Sequence, residues 1–332
     1  MKNKIYYIFI TLLIASCGND KPKKKDSIIK IEPIVSKPKI EKPDFNADSA
    51  YLYIQDQVDF GPRFPNNNAH AKCAEYLETK LNSFGLKTNI QIGEGITFNN
   101  QKIIIKNIIG EYNPEAQKRV LLFAHWDTRP FADQDNKDMT KPILGANDGG
   151  SGVGILLEVA RQLTITKPNV GVDIIFFDAE DYGQPAGISD NINSENSWCL
   201  GSQYWSKNPH KENYKAEYGI LLDMVGSSNA TFFQEEISVQ YAPQVVQKVW
   251  GNAKKLGYNN YFITQQMGGL IDDHKFVNKI ANIPSIDIIH YERGQRGFHP
   301  TWHTHNDNMD VIDKMTLSVV GEVLLYTIYQ EK

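Results

Sequence analysis

Residues 174–183 read IIFFDAEDYG. An unbroken apolar run, Ile174 to Phe177, passes directly into Asp178, Glu180 and Asp181. A run with no polar alternation fits a strand buried on both faces. Three carboxylates within four positions repel one another unless positive charge sits among them. Water around a surface loop relieves that repulsion, since charged residues are mostly exposed. A bound cation relieves it too. The choice depends on what the rest of the chain brings to the same place.

The run belongs to VDIIFF (172–177), and VLLFA (120–124), YGILL (218–222) and SIDII (285–289) follow the same pattern. Helical spacing fills the intervals at 152–163, 242–256 and 273–281. Solid strands alternating with helices predict an α/β domain whose mixed, mostly parallel, twisted sheet carries helices on both faces. Upstream, 47–60 and 67–84 have helical spacing, the second stopping at Gly85. Segments 87–98 and 102–112 alternate apolar and polar residues, as an antiparallel pair would. Residues 315–329 form an amphipathic closing helix. One domain is expected over 46–332.

In such a sheet, ligands bind outside the carboxyl ends of the strands. The residues just past the solid runs are His125-Trp126-Asp127, Asp178 to Asp181, Asp223 and His290. Asp148 lies in GANDGGSG (145–152), a Gly-rich turn opening a helix. Asp272, Asp273 and His274 lie in IDDH (271–274), and His299, His303, His305, Asp307 and Asp310 in FHPTWHTHNDNMD (298–310). Carboxylates and imidazoles converging on one sheet edge suit zinc, which usually takes four ligands and in catalytic sites keeps one position open.

The series HWD after a strand, NDGGSG before a helix, DAED and LLDM after later strands, and WHT before the last helix resembles the superfamily of zinc aminopeptidases and glutaminyl cyclases. The likeness spans about residues 46–332. WHTHNDN (302–308) is similar to the cyclase branch, and IDDH to that branch's acidic loop. The resemblance implies one zinc per chain on Asp148, Asp181 and His303. It puts the proton-transfer glutamate at Glu180, the catalytic aspartate at Asp272 and a supporting aspartate at Asp223. Trp302 would line the substrate pocket. Trp198 is a candidate stand-in for a tryptophan that the animal branch carries soon after its paired acids. Asp181 stands where the ligand is usually Glu, as in some bacterial cyclases. His125 and Asp127 would orient loops, and Asp178 would support a helix N-terminus or a ligand.

The implied reaction converts the N-terminal glutamine of peptides and proteins to pyroglutamate, releasing ammonia. The main alternative is an aminopeptidase with two zincs bridged by Asp148, the second held by His125 and Asp223. Trp302 and Asp272 favour cyclisation, since peptide hydrolysis needs neither. A non-catalytic binding lipoprotein on the same fold would have lost a ligand or Glu180, and neither is lost.

A net charge of -4 with both signs interspersed offers no basic face for nucleic acid. The N-terminus is different in kind. Two lysines precede an apolar run over 5–15, too short for a mature membrane span and fitting the core of a secretory signal. Ile14-Ala15-Ser16-Cys17 resembles a lipobox, so 1–17 reads as a lipoprotein signal peptide and 18–45, rich in Lys and Pro, as a tether. The expectation is an exported protein, lipid-anchored to a bacterial membrane and facing the periplasm. Cys73 and Cys199 then remain, too few for a disulfide framework. Cys73 sits in helical-looking sequence and reads as a small buried hydrophobe. Replacing the lipid acceptor, Cys17→Ala, is expected to leave the protein soluble or unprocessed. Cell fractionation checks this, and a processed variant still sedimenting with membranes would refute the anchor.

Overall fold

Eight strands and eight helices form in a computed structural model described over residues 41–185, 194–294 and 297–332. The expected signal peptide, its Cys17 and most of the tether lie outside the described residues. Among the described residues, no helix is long and apolar enough to cross a membrane.

The strands are β1 (Lys87–Ile96), β2 (Lys102–Tyr112), β3 (Arg119–His125), β4 (Gly171–Phe177), β5 (Tyr218–Asp223), β6 (Phe232–Glu235), β7 (Phe262–Met267) and β8 (Ser285–Ile289). Six of them make one sheet in the order β1-β2-β4-β3-β5-β8. β4, β3, β5 and β8 are parallel, with Phe123 opposite Ile175 and Leu221, and Leu222 opposite Ile288. The β1–β2 hairpin adds to β4 antiparallel. Every residue of the four parallel strands is buried.

Period-2 alternation divides the solid runs of β3, β4 and β5 between two cores. Leu122, Ala124, Ile174, Phe176, Ile220 and Leu222 face the larger core. It is covered by α1 (Ala47–Asp59), α3 (Gly150–Ile165), α6 (Pro243–Lys255) and α8 (Lys314–Ile328), while α2 (Asn68–Ser83) packs on the hairpin. Leu121, Phe123, Ile175, Phe177 and Leu221 face the opposite core with Trp205 and Val277. Trp205 belongs to α4 (Leu200–Lys207), and Val277 opens a π-helical turn (Val277–Ala281) that continues the short α7 (Asp273–Phe276). Covering both faces is what lets a parallel strand be apolar throughout.

Several features differ from the sequence reading. The 273–281 helix is a single α turn followed by a wider one. Asn278 pins its end to β8, donating to Ser285 O at 2.8 Å and accepting from Ser285 N at 2.9 Å. α4, α5 (Glu236–Tyr241) and the parallel β6–β7 pair were not foreseen. β7, FITQQM, is exposed along its middle and carries no apolar pattern. The expected tether gives way to folded chain before residue 45. Phe45 is buried against Gly321, where an added Cβ would sit 2.2 Å from the ring, and Phe45 N donates to Glu322 at 2.9 Å.

Gly152 sets the depth of the α3 N-terminus. A Cβ there would lie 2.3 Å from Leu222 O and 2.9 Å from Ala124 Cβ, so the helix start rests directly on the ends of β3 and β5. Asp148, four residues earlier, is thereby delivered to the carboxyl edge of the sheet.

Candidate metal centre and active site

Sharp reversals follow two of the parallel strands, β4 and β5, and a third carries His303 to the same edge. Ala179, Met224 and His303 adopt φ of 52°, 46° and 55°, the left-handed region that L-residues avoid. Such residues cluster where surrounding structure holds them in place for function. Here the reversal at Ala179 separates three adjacent acids, so that Asp178, Glu180 and Asp181 leave the strand in different directions.

Asp178 turns away from the edge. Its oxygens lie 2.9 Å from His70 Nε2 on α2 and accept from Lys106 N at 2.7 Å. Through His70 it ties the first turn of α2 to the sheet, the helix N-terminal support expected of it. Asp127 does the loop-orienting work: it accepts from Glu180 N at 3.0 Å and Asp181 N at 3.2 Å.

Asp148, Asp181 and His303 converge. Each offers one buried ligand atom, all within 4.8 Å of one another. His303 Nε2 lies 3.0 Å from Asp181 Oδ1 and 3.7 Å from Asp148 Oδ2. Asp148 Oδ2 and Asp181 Oδ2 are buried with no hydrogen-bond partner. A desolvated carboxylate oxygen without a donor is costly, so this donor set fits a divalent cation. Asp307 fixes the Asp148 loop by accepting from Asn147 N at 2.8 Å and Asp148 N at 3.0 Å. His303 Nδ1 stands 3.0 Å from Asp133 Oδ1, the carboxylate backing typical of a metal-binding imidazole. Burial raises the Asp133 pKa, but His303 and Arg129 outweigh it and hold the carboxyl below its ordinary range.

A second group shares Asp148. His125 Nε2 is 3.0 Å from Asp148 Oδ1 and 3.2 Å from Asp223 Oδ1. Burial works against charge on His125, yet Asp127, Asp148 and Asp223 together raise its pKa well above the usual imidazole value.

Glu180 and Asp272 form the acidic side of the site. With Cys199 they place ligand-type atoms within 4.8 Å of one another. Burial pushes the Glu180 carboxyl well above its ordinary pKa, and Asp272 and Asp181 add to that, while His125 opposes it. Asp272 is raised in the same way, by burial and then by Asp223 and Asp273. Two further carboxylates crowd it: Asp223, the stronger influence, and Asp287 on β8, which has an oxygen within 4.8 Å of one on Asp272 and which no motif singles out.

Asp148, Glu180, Asp181, Asp223, Asp272 and His303 line a cavity of about 340 Å³, together with the apolar Trp198, Leu270, Phe298 and Trp302. That is the low end of small-ligand pockets. The His303 ring lies between the two tryptophans, 3.7 Å from Trp302 and 6.2 Å from Trp198 between centroids. Arg129, fully buried, stacks under Trp198 at 4.7 Å, donates to Asp181 O at 2.9 Å, and grips Asp133 at 2.6 and 3.0 Å. Arg129 and Asp133 went unnoticed in the sequence, although they stand four residues apart just beyond HWD. Not every candidate joins the site. His305 pairs with Asp135, His299 with Thr301, and His290 with Ser227.

The family model for peptidase family M28 matches residues 107–328, and the chain belongs to that family. Among solved structures it is similar to the glutaminyl cyclase of Bacteroides thetaiotaomicron, 52% identical over 88% of this chain and 100% of that one, with a TM-score of 0.86. It is as similar to a Zn-dependent exopeptidase from Parabacteroides distasonis, 52% identical with the same coverage and a TM-score of 0.85. Two curated relatives are more distant. Aminopeptidase YwaD of Bacillus subtilis is 29% identical over 68% of this chain, which spans 44% of that protein. The glutaminyl-peptide cyclotransferase of Drosophila melanogaster is 23% identical over 80% of this chain and 76% of its own length.

Removing one of three converging ligands is expected to weaken zinc binding at least ~100-fold, since three protein ligands are the usual minimum for a catalytic zinc. His303→Ala and Asp181→Asn should therefore emerge from dialysis without metal, and a chelator should lower the melting temperature of the wild type but not of the variants. Full zinc content in both variants by elemental analysis would refute this ligand set.

Proposed function

We propose that this chain is a glutaminyl-peptide cyclotransferase, acting on peptides and proteins with N-terminal glutamine. The observation that carries the reading is the second buried carboxylate, Asp272, facing Glu180 across a pocket walled by Trp198 and Trp302. Peptide hydrolysis asks for one carboxylate to activate water. Cyclisation has two nitrogens to manage, the attacking amine and the leaving amide. The 52% identity to a solved glutaminyl cyclase supports the same reading.

Both reactants belong to one residue, so the site must hold one folded conformer rather than bring two molecules together. The α-amine bonds to the γ-carboxamide carbon, the bond from that carbon to the amide nitrogen breaks, and ammonia leaves. Zinc on Asp148, Asp181 and His303 would supply Lewis-acid polarisation of the carbonyl. Glu180 takes the proton from the amine and returns it to the departing nitrogen. Its raised pKa suits it to keep that proton between the two transfers. Asp272, raised by burial and by Asp223, accepts a hydrogen bond from the leaving amide, and a proton shared with Asp223 relieves the repulsion between the two carboxyls. Trp302 and Trp198 hold the glutamine side chain, and the residues after it extend into solvent.

One zinc per chain belongs to this reading, with His125 held by Asp223. The cluster of His125, Asp148 and Asp223 favours a second reading, a two-metal aminopeptidase. Attachment to a bacterial membrane through Cys17 rests on the N-terminal sequence.

A peptide beginning Gln-Ala separates the two activities by mass spectrometry. Loss of one ammonia with the peptide otherwise intact is expected; release of free glutamine, with two tightly held zincs, would establish the aminopeptidase. Glu180→Gln tests the proton shuttle. It should keep zinc and nearly the same KM while turnover falls ~10⁴-fold, the upper end for general acid–base catalysis. A variant keeping more than about a tenth of wild-type turnover, above anything loss of such a group leaves, would remove Glu180 from the mechanism.

A further inference from the structure

Segment 199–201 lies antiparallel to the acids at 178–180, joined by three backbone hydrogen bonds. Cys199 N donates to Glu180 O at 2.9 Å, Leu200 N to Ala179 O at 3.0 Å, and Gly201 N to Asp178 O at 2.9 Å. The approach is close enough that a Cβ at Gly201 would lie 2.2 Å from Asp178 O. Cys199 is thereby placed directly opposite Glu180. Its side chain is fully buried, and Sγ lies 3.2 Å from Glu180 Oε1.

Cys199 also has φ of 57°, at the start of α4, where glycine or asparagine would be the easy choice. A non-glycine residue held there costs roughly 1–2 kcal/mol, and such strain persists where a side chain is needed. No disulfide explains the cysteine, since Cys199 and Cys73 are both free. Burial first, and then Glu180, Asp273 and Asp272, push the thiol pKa well up, so it is a donor and not an acceptor toward Glu180. The main chain of Glu180 is already fixed, by Asp127 at its N–H and by Cys199 at its carbonyl. What the thiol adds is a direct hydrogen bond that fixes where the carboxylate points, among carboxylate neighbours, Asp272 and Asp181, that repel it and His125, which attracts it without a direct bond.

We propose that Cys199 is a positioning residue: its S–H holds the Glu180 carboxylate aimed at the substrate amine. The proposal rests on the reading of Glu180 as the proton shuttle. It gives Glu180 a partner that lies nineteen residues downstream and outside the lining of the cavity.

The experiment is a series at one position, with steady-state kinetics on a Gln-Ala peptide, zinc content and melting temperature for each variant. Cys199→Ala should lower kcat about tenfold with KM and zinc nearly unchanged, the scale expected for one hydrogen bond to a charged group. Cys199→Ser, which restores a donor, should recover most of that loss. Cys199→Gly relieves the backbone strain, so it provides a folded variant without a donor should the alanine variant fail to fold, and it should lose activity as alanine does. In a Glu180→Gln background, Cys199→Ala should cost nothing further, because the two act as a unit. Equal activities for Ser and Ala, wild-type kcat in Cys199→Ala or Cys199→Gly, or a full additional loss in the double variant would each overturn the proposal. If the wild type releases glutamine instead of ammonia, the cyclase reading falls, and the same series read on hydrolysis still decides Cys199. A wild type with neither activity overturns both.

Discussion

Buried negative charge at the carboxyl ends of four parallel strands is the constraint to which the rest of this structure answers. Asp127, Asp148, Asp178, Asp181, Asp223, Asp272, Asp273 and Asp287 are all buried at or beside that edge, with Glu180 among them. Water cannot neutralise them there, and each isolated charge taken out of water is costly. The chain meets the cost in three ways. It supplies fixed donors, it lets some carboxyls keep their protons, and it leaves two oxygens facing each other in a geometry that a cation completes.

The fixed donors are mostly backbone N–H groups, which need no charge of their own to be stabilised. Asp127 and Asp307 each take two. Two buried arginines do the rest. Arg129 binds Asp133 and the Asp181 carbonyl. Arg63 spends its guanidinium on the carbonyls of Trp126, Leu144 and Gly145, bracing the HWD turn against the loop that carries Asp148. It faces Asp307, Asp127 and Asp148, whose charge offsets part of the burial that lowers its pKa. Burial raises Glu180, Asp272 and Asp287 well above the ordinary carboxyl range, and it raises Asp307 to about 7 in spite of its two N–H donors. Burial is the leading cause in each case, and perturbed carboxyls in a cleft are what acid–base chemistry uses.

The strained residues belong to the same arrangement. A strand that ends at a crowded edge must turn at once if its last side chains are to reach different partners. Ala179 does so with φ of 52°, sending Asp178 toward α2 and Glu180 and Asp181 toward the cavity. His303, at φ of 55°, turns its ring between Trp302 and Trp198. Strain of this kind is tolerated because the surrounding core, apolar on both faces of the sheet, has stability to spare for it.

Much of this could be read in the amino-acid order. Solid apolar runs show strands buried on both faces, because hydrophobic periodicity is a local property. The acids beyond them lie at the ligand-binding edge, because the edge follows from strand direction. Asp148, Asp181, His303, Glu180, Asp272 and Trp302 were legible that way, through motifs of a few adjacent residues. The partners of those residues were not. Asp287 sits inside a buried strand, Arg129 and Asp133 in an unpatterned loop, and Cys199 in a segment that looked like connection. β6 and β7 form a two-stranded sheet of their own, and β7 shows no alternation. Which acid meets His70, which meets Asp287, and which is met by a thiol depends on distances between segments up to about a hundred residues apart. Sequence patterns report the burial of a residue's own element. Contacts between elements, and the protonation states that follow from them, exist only once the chain has closed on itself.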